Sequence, residues 1–329
     1  MNKKFLASVI TVLLICGIAF AEGRKEVDAS KFPERPVTCH VPWGVGGGSD
    51  IVFRTVGEVF AKYSGGQPQL IKNVPGAAGA VGIVEYNKQA RPDGYDVMTW
   101  NGAQTIKTHV SKVDYSVHDY KPVIKLISNY TYILVQNSSP FKTLKDFVDY
   151  AKANPGKVTM GHAGTGGGGH LSCILFNAAA GIDVTYVPFG GGGPAAAGLL
   201  AGQTMVSMNI PPEGLSNVEA GQLRALAVLS PQRLPQIPNV PTGRELGFDV
   251  VYFQSRGVVA HKDTPDEVVQ RLHDIYKKCI EDEGVKKKFY DMVIDVTYAG
   301  PEEYGKENIE EDAVMEKIIK QHKIGDKYK

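Results

Sequence analysis

The 329-residue chain has no excess of either charge: 36 Lys and Arg stand against 35 Asp and Glu, a formal net charge of +1. Neutralising a phosphate backbone takes a basic surplus, so the balance argues against nucleic acid as a partner. Cysteine is scarce, at 4 residues. Cys16 lies in the apolar N-terminal segment; Cys39, Cys173 and Cys279 are odd in number, far apart and outside any C-x-x-C pair. That spacing excludes a disulfide framework and indicates neither a zinc site nor a redox motif. The three are expected to be buried, inert thiols, with a single bridge among them left open. The chain also lacks a G-x-S-x-G elbow, an H-E-x-x-H motif and, after its first glycine loop, the lysine of a P-loop. With 43% hydrophobic and 22% charged residues it has neither the composition of a disordered chain nor that of a polytopic membrane protein.

The N-terminus carries an export signal: Lys3 and Lys4, an apolar run over 5–18, then Ala19-Phe20-Ala21 before Glu22. The run is shorter than the roughly 20 residues of a membrane span. Residues 1–21 are read as a signal peptide cleaved after Ala21, which places the protein in the periplasm. Ile15 precedes Cys16 where a lipoprotein signal needs a small residue, so lipidation is disfavoured. Residues 22–35, polar and charged, are expected to form a flexible leader. A length of 329 residues exceeds what one core usually serves, which predicts two lobes.

What the chain has in abundance is glycine, 37 residues, much of it clustered. A short apolar strand at 37–41 runs into Pro42-Trp43-Gly44-Val45-Gly46-Gly47-Gly48-Ser49-Asp50, and apolar residues then recur at helical spacing from Ile51 to Phe60. A second small-residue loop, 75–82, follows a strand near 69–71, and a third strand is expected at 95–100. Residues 124–135 are extended, with a crossing to a second lobe near 128–131. There the same grammar repeats: a strand at 158–163 ends in Gly164-Thr165-Gly166-Gly167-Gly168-Gly169-His170, and one at 184–187 ends in Pro188-Phe189-Gly190-Gly191-Gly192-Gly193-Pro194, each before a helix. Strands at 206–210 and 224–229 follow. The Pro-rich run 231–241 carries no regular structure. The chain crosses back near 252–256 into a first-lobe strand at 257–260, and helical segments dominate from Pro265 onward. The first lobe is thus 36–128 plus 256–329 and the second 129–255, each a mostly parallel α/β sheet flanked by helices.

In such sheets ligands sit at the carboxyl ends of strands, where every one of these glycine clusters falls. A helix N-terminus presents unpaired N–H groups and roughly +0.5 charge, and glycine lets the backbone close on a ligand. Two such anion nests facing each other across a cleft would hold a carboxylate at each end of a ligand. The residues read as ligand-binding are Trp43, Val45, Gly46, Gly47, Gly48, Ser49, Asp50, Gly76, Ala77, Asn101, Gly164, Thr165, Gly166, Gly167, Gly168, His170, Phe189, Gly190 and Asn209. Asp50 and Arg54 stand i, i+4 on one helix, where an ion pair is the plainer expectation. Gly164, Gly166 and Gly169 also satisfy G-x-G-x-x-G with Asp183 downstream, but a tetraglycine run produces that match easily, and Asp183 precedes its strand instead of ending it.

Val41-Pro42-Trp43 through Gly48-Ser49-Asp50 and Arg54, Asn73-Val74-Pro75-Gly76-Ala77-Ala78-Gly79, Pro92-Asp93-Gly94-Tyr95, Val187-Pro188-Phe189, Ala201-Gly202-Gln203, the run 223–228 and Pro238-Asn239-Val240-Pro241-Thr242 occur in the order in which they resemble the Bug family, the extracytoplasmic receptors of tripartite tricarboxylate transporters. The resemblance covers nearly the whole mature chain. It implies a two-lobed, type II-like periplasmic binding protein that closes on a small organic anion without catalysis or cofactor, with loops 44–50 and 164–170 gripping carboxylates partly through water. It also implies the membrane subunits of such a transporter as partners; a monomer is expected. Val45, Asn209 and Phe253 depart from the family's usual alanine, acidic residue and tryptophan at those positions. The alternative is an exported α/β enzyme, a hydrolase or oxidoreductase, using the same loops.

Overall fold

The computed structural model describes residues 28–322, 324 and 325. The signal peptide and its cleavage site lie outside the described residues. Among the described residues the elements run β1 Val37–Val41, α1 Gly48–Tyr63, β2 Gln69–Asn73, α2 Ala80–Gln89, β3 Asp96–Trp100, α3 Gly102–Val110, β4 Tyr120–Tyr130, β5 Tyr132–Gln136, α4 Leu144–Ala153, β6 Thr159–His162, α5 Gly168–Ala180, β7 Thr185–Pro188, α6 Gly192–Leu200, β8 Val206–Asn209, α7 Leu215–Glu219, β9 Leu223–Val228, β10 Phe253–His261, α8 Asp266–Glu281, α9 Glu283–Asp291, β11 Asp295–Ala299 and α10 Pro301–His322. None of these helices is long and apolar enough to cross a membrane.

The strands form two sheets, ordered β11-β4-β10-β3-β1-β2 and β7-β6-β8-β5-β9. Strands followed by helices pair in parallel, β1 with β2 and β3, and β6 with β7 and β8. The strands that carry the chain between lobes are the ones that reverse direction: β10 lies antiparallel between β3 and β4, and β5 antiparallel between β8 and β9. The first crossing is compressed into Thr131, the one residue between β4 and β5; its N–H donates to Tyr252 O at 3.3 Å, and Leu229 N–H donates to its carbonyl at 2.7 Å. The β4–β10 ladder runs to Tyr130 and Phe253, so residues 129–130 and 253–255 pair within the first sheet, beyond the lobe limits read from the sequence.

Each sheet is covered on both faces, as strand alternation requires. Val37, Cys39 and Val41 of β1 pack with Val52, Phe53, Val56 and Phe60 of α1 and with Leu272, Tyr276 and Cys279 of α8. The opposite face is aromatic, with Tyr86, Trp100, Tyr115, Tyr120 and Tyr304. Complete burial of an aromatic or aliphatic side chain contributes about 1.5–3 kcal/mol, and these layers hold each lobe as a unit. Cys39, Cys173 and Cys279 are free and buried, and burial pushes their thiols up.

Two expectations are corrected. The described part of the leader, 28–35, is packed: Phe32 is 1% exposed, stacks 4.8 Å from Tyr95, and its carbonyl accepts from Arg271 Nε at 3.0 Å. Its ring fills the space above Gly94. The helical C-terminal region contains β11, whose short alternation is hidden between two charged helices. Helix α3, in a stretch without a strong apolar period, is fixed by the capping box of Asn101 and Gln104.

Candidate functional site

The first loop of each lobe is built to one plan. In 44–47 the Gly47 N–H donates to Gly44 O (3.2 Å), and in 164–167 the Gly167 N–H donates to Gly164 O (3.1 Å). The third residue of each turn has positive φ, 76° at Gly46 and 77° at Gly166, where a type II turn needs glycine. The amide of that glycine is then taken by a side chain four residues on. Gly46 N–H donates to Asp50 Oδ2 (2.9 Å), and Gly166 N–H to His170 Nδ1 (3.2 Å). Each turn delivers the chain into a helix, α1 or α5, whose N-cap is a glycine without a side-chain cap. In α1 the first of the helix's N–H groups, that of Gly48, donates to Glu213 Oε1 of the other lobe at 3.2 Å.

Four helix N-termini converge on one cavity between the lobes. Gly47, Gly48 and Ser49 of α1 and Asn101 and Ala103 of α3 line it from the first lobe; Gly167 to Gly169 of α5 and Gly191 and Gly192 of α6 line it from the second. Trp43, Asn209, Glu213, Gln254 and Arg256 complete the wall. Each terminus contributes roughly +0.5 charge, so the cavity is strongly anion-seeking before any side chain is counted. Its volume is about 30 Å³, room for little more than ordered water, so a solute enters only when the lobes part. The lobes touch closely around it. A Cβ at Gly193 would stand 2.6 Å from Gly46 O, and one at Gly44 would stand 3.1 Å from Gly190 O.

Among the described residues Arg256 of β10 is the one full positive charge in the wall, and it is only 3% exposed. Its Nε donates to Ser49 Oγ at 3.3 Å and its Nη1 to Asn129 Oδ1 at 3.1 Å, both neutral acceptors. It forms no ion pair among the described residues, and burial pushes its guanidinium down to about 10, against the pull of Glu213. Nη2 points toward Gly48, where a Cβ would lie 2.7 Å away. Ser49 Oγ also receives Asn101 Nδ2 at 3.4 Å. Trp43 Nε1 is buried without an acceptor. Arg256 is thus a desolvated cation held by neutral acceptors, with the Glu213 carboxylate on the same cavity wall.

Trp43, Gly47, Gly48, Ser49, Asn101, Gly167, Gly168 and Asn209 thus stand together on the cavity wall. The other candidates lie elsewhere. Asp50 is consumed by Gly46 N–H and by Arg54 Nε at 2.9 Å, the ion pair that its spacing allowed. Val45 is 66% exposed. Ala77, Gly164, Thr165, Gly166, His170 and Phe189 line a second interlobe crevice of about 370 Å³. Gly46, Gly76 and Gly190 shape turns and line neither space. Arg256, Glu213 and Gln254 were not singled out from the sequence; the available signal was a lone arginine immediately ahead of the apolar run Gly257-Val258-Val259-Ala260.

The second-lobe loop rests on a pair of neutral imidazoles. His162 and His170 stack at 4.6 Å, and their Nδ1 atoms accept the N–H groups of Gly164 and Gly166, both at 3.2 Å. Burial lowers His162 to about 3, with His170 adding repulsion, and lowers His170 to about 4. Folded values below the ordinary 6.5 mean that the unfolded chain takes up protons first as pH falls. Stability contributed by these rings is complete above about pH 6.5 and is lost towards pH 4. Thermal melts at pH 7.5 and 4.5 should show this fall, and His170→Gln should flatten it; a slope unchanged by the substitution would contradict the assignment.

Comparison with known proteins adds the following. The model of the tripartite tricarboxylate transporter family receptor matches residues 52–324. Protein BugT of Bordetella pertussis is 29% identical over 294 residues, 88% of this chain and 88% of its own. Among solved structures, MatC from Rhodopseudomonas palustris with bound malate superposes with a TM-score of 0.82 at 28% identity, covering 88% of this chain and 100% of MatC. A second R. palustris protein, with adipate, gives a TM-score of 0.84 at 26% identity, covering 89% and 99% of the two chains.

Proposed function

Since the chain belongs to the tripartite tricarboxylate transporter receptor family, we propose that its interlobe cavity captures a small organic carboxylate, as the malate and adipate found in its structural neighbours suggest. Membership makes the protein a solute receptor and not an enzyme, which sets the hydrolase and oxidoreductase alternative aside. The observation that carries the reading is Arg256, a buried guanidinium without an acidic partner among the described residues, beside the N-termini of α1, α3, α5 and α6. One ligand carboxylate takes Arg256 and the N-terminal amides of α1, displacing Glu213 Oε1 from the Gly48 N–H. The amides of Gly168 and Gly169 take a second acidic group or its hydration water. Trp43 covers the middle.

Closure is a hinge motion at the two crossings near Thr131, the one residue between β4 and β5, and Tyr252, which immediately precedes β10. The loaded receptor then presents its solute to the transporter's membrane subunits. We assign the mature chain to the periplasm as a monomer beginning at Glu22, which the intact mass of the exported protein checks.

A ligand at 100-fold its Kd adds about 2.7 kcal/mol of stability, roughly 5–10 °C in a chain of this size. A thermal-shift screen of di- and tricarboxylates, aromatic acids, acidic amino acids and neutral sugars is expected to give such shifts with acids alone. Shifts with sugars and none with acids would overturn the reading.

A further inference from the structure

The second lobe carries a groove of its own, away from the cleft. It holds about 690 Å³ between α4, residues 224–226 of β9 and the loop 239–248. β9 is an edge of its sheet; among the described residues its outer side is met at Val228, by Thr242, and no strand lies against 223–226. It reaches the first crossing only past its far end, where Leu229 N–H donates to Thr131 O. The floor of the groove is apolar, built from Leu144, Val148, Leu226 and the half-buried Phe248, and Leu246 beside it is 41% exposed. The charge around that floor is mostly of one sign. Lys142, Lys145, Lys152 and Arg224 line the groove against a single carboxylate, Asp149, in a chain whose totals are 36 and 35. Lys145 pairs with Asp149. The neighbouring Asp146 is taken by the Lys142 and Thr143 N–H groups, at 3.0 and 2.8 Å. Arg224 Nη2 donates to Asn137 Oδ1 at 2.5 Å and Lys142 Nζ to Asn137 O at 3.2 Å, both neutral acceptors. Among the described residues Lys142, Lys152 and Arg224 form no ion pair, so three cations stand over an apolar floor and an open sheet edge.

We propose that this groove docks an extended acidic segment of the transporter's membrane subunits, laid along β9 with alternate side chains in the apolar floor and its carboxylates on Lys142, Lys152 and Arg224. The proposal rests on the chain serving as a transporter receptor, and it does not depend on which acid the cleft takes. An added strand draws affinity from the main-chain groups of the open edge and specificity from the hollows beneath alternate side chains. Opposite charge on the partner steers the encounter and makes it sensitive to salt. Charged side chains also guard exposed sheet edges, but a guard needs no apolar hollow of this size beside it. An anionic lipid surface would meet the cations and leave the concave floor and the edge unused. Every residue of the groove belongs to one lobe, so its shape is the same with the cleft open or closed, and docking is separable from solute capture.

The test uses the full exported chain and, as probe, a fluorescein-labelled octapeptide alternating glutamate and valine, with a lysine–valine octapeptide as control and phosphatidylglycerol vesicles as the membrane arm. Fluorescence anisotropy is expected to show the acidic peptide bound at least tenfold more tightly than the basic one, with affinity falling as salt rises. Lys142→Glu combined with Lys152→Glu changes two exposed side chains. The double variant should weaken the acidic peptide at least tenfold and lower uptake of the cognate acid at least fivefold in cells carrying the chain's own transporter, while the calorimetric affinity for that acid stays within twofold. Leu246→Gln leaves the charge unchanged and should weaken the peptide severalfold, which separates a shaped groove from a charged patch. Equal affinity for the two peptides, an unchanged affinity in Leu246→Gln, or wild-type uptake in the double variant overturns the proposal. Vesicles that retain the wild type while the acidic peptide does not bind overturn it in favour of a membrane surface. Failure of the acid site is read separately, from calorimetry of the wild type with carboxylates alone.

Discussion

Arg256→Met should weaken binding of the cognate acid by roughly 30-fold to several-thousand-fold, the 2–5 kcal/mol range for truncating one partner of a buried charge pair. Methionine keeps most of the aliphatic volume and removes the charge. The guanidinium is desolvated and, among the described residues, has Ser49 Oγ and Asn129 Oδ1 as its acceptors. Losing it relieves a desolvation cost and orphans the Asn129 acceptor, two effects of opposite sign. The melting temperature of the ligand-free variant should therefore stay within a few degrees of the wild type, while the ligand-induced shift disappears. Titration calorimetry and ligand-free melts read the two quantities separately. Wild-type affinity in Arg256→Met would remove the cation from the account.

The second large effect is expected from Gly48→Ala. A Cβ there would lie 2.3 Å from Ile210 Cδ1 in the opposite lobe and 2.7 Å from Arg256 Nη2. Gly48 opens α1 with no positive φ, so alanine fits the helix and improves its propensity. The ligand-free chain should melt at or slightly above the wild-type temperature. The methyl displaces the Arg256 guanidinium of its own lobe, and in the closed form it also presses on Ile210 of the other lobe and wedges the two apart. Overpacking of this kind costs about 1–3 kcal/mol, so affinity should fall roughly 5- to 150-fold. Because the penalty arises chiefly in the closed state, it appears in the dissociation rate measured by stopped-flow. An affinity within twofold of the wild type would mean that the lobes do not meet at Gly48 when loaded.

Much of this fold is legible locally. Val37 to Val41 ends in a glycine loop and gives way to a helical period at Ile51; 158–163 does the same before α5, so strand, nest and helix follow from adjacent residues. The crossing at Thr131 shows as an extended run too long for one lobe. What is not legible is the meeting of Arg256 with Ser49 and Asn129, each more than a hundred positions before it, which depends on β10 inserting antiparallel between β3 and β4. Nothing around Arg256 records that insertion. The same holds for Glu213, whose Oε1 accepts the Gly48 N–H from the other lobe. Asp50 and His170 show the converse: both stand in loops of the right composition, yet each is spent on the amide of its own turn, Gly46 or Gly166, a contact that only turn geometry reveals.

The central claim is tested most directly by a crystal structure of the receptor grown with the tightest acid from the screen. The account predicts a carboxylate within about 3 Å of Arg256 and of the first amides of α1, with the opposite end of the solute facing the first turn of α5. A solute seated in the second crevice near Lys107 and Phe189, or one whose carboxylates avoid Arg256, would contradict it.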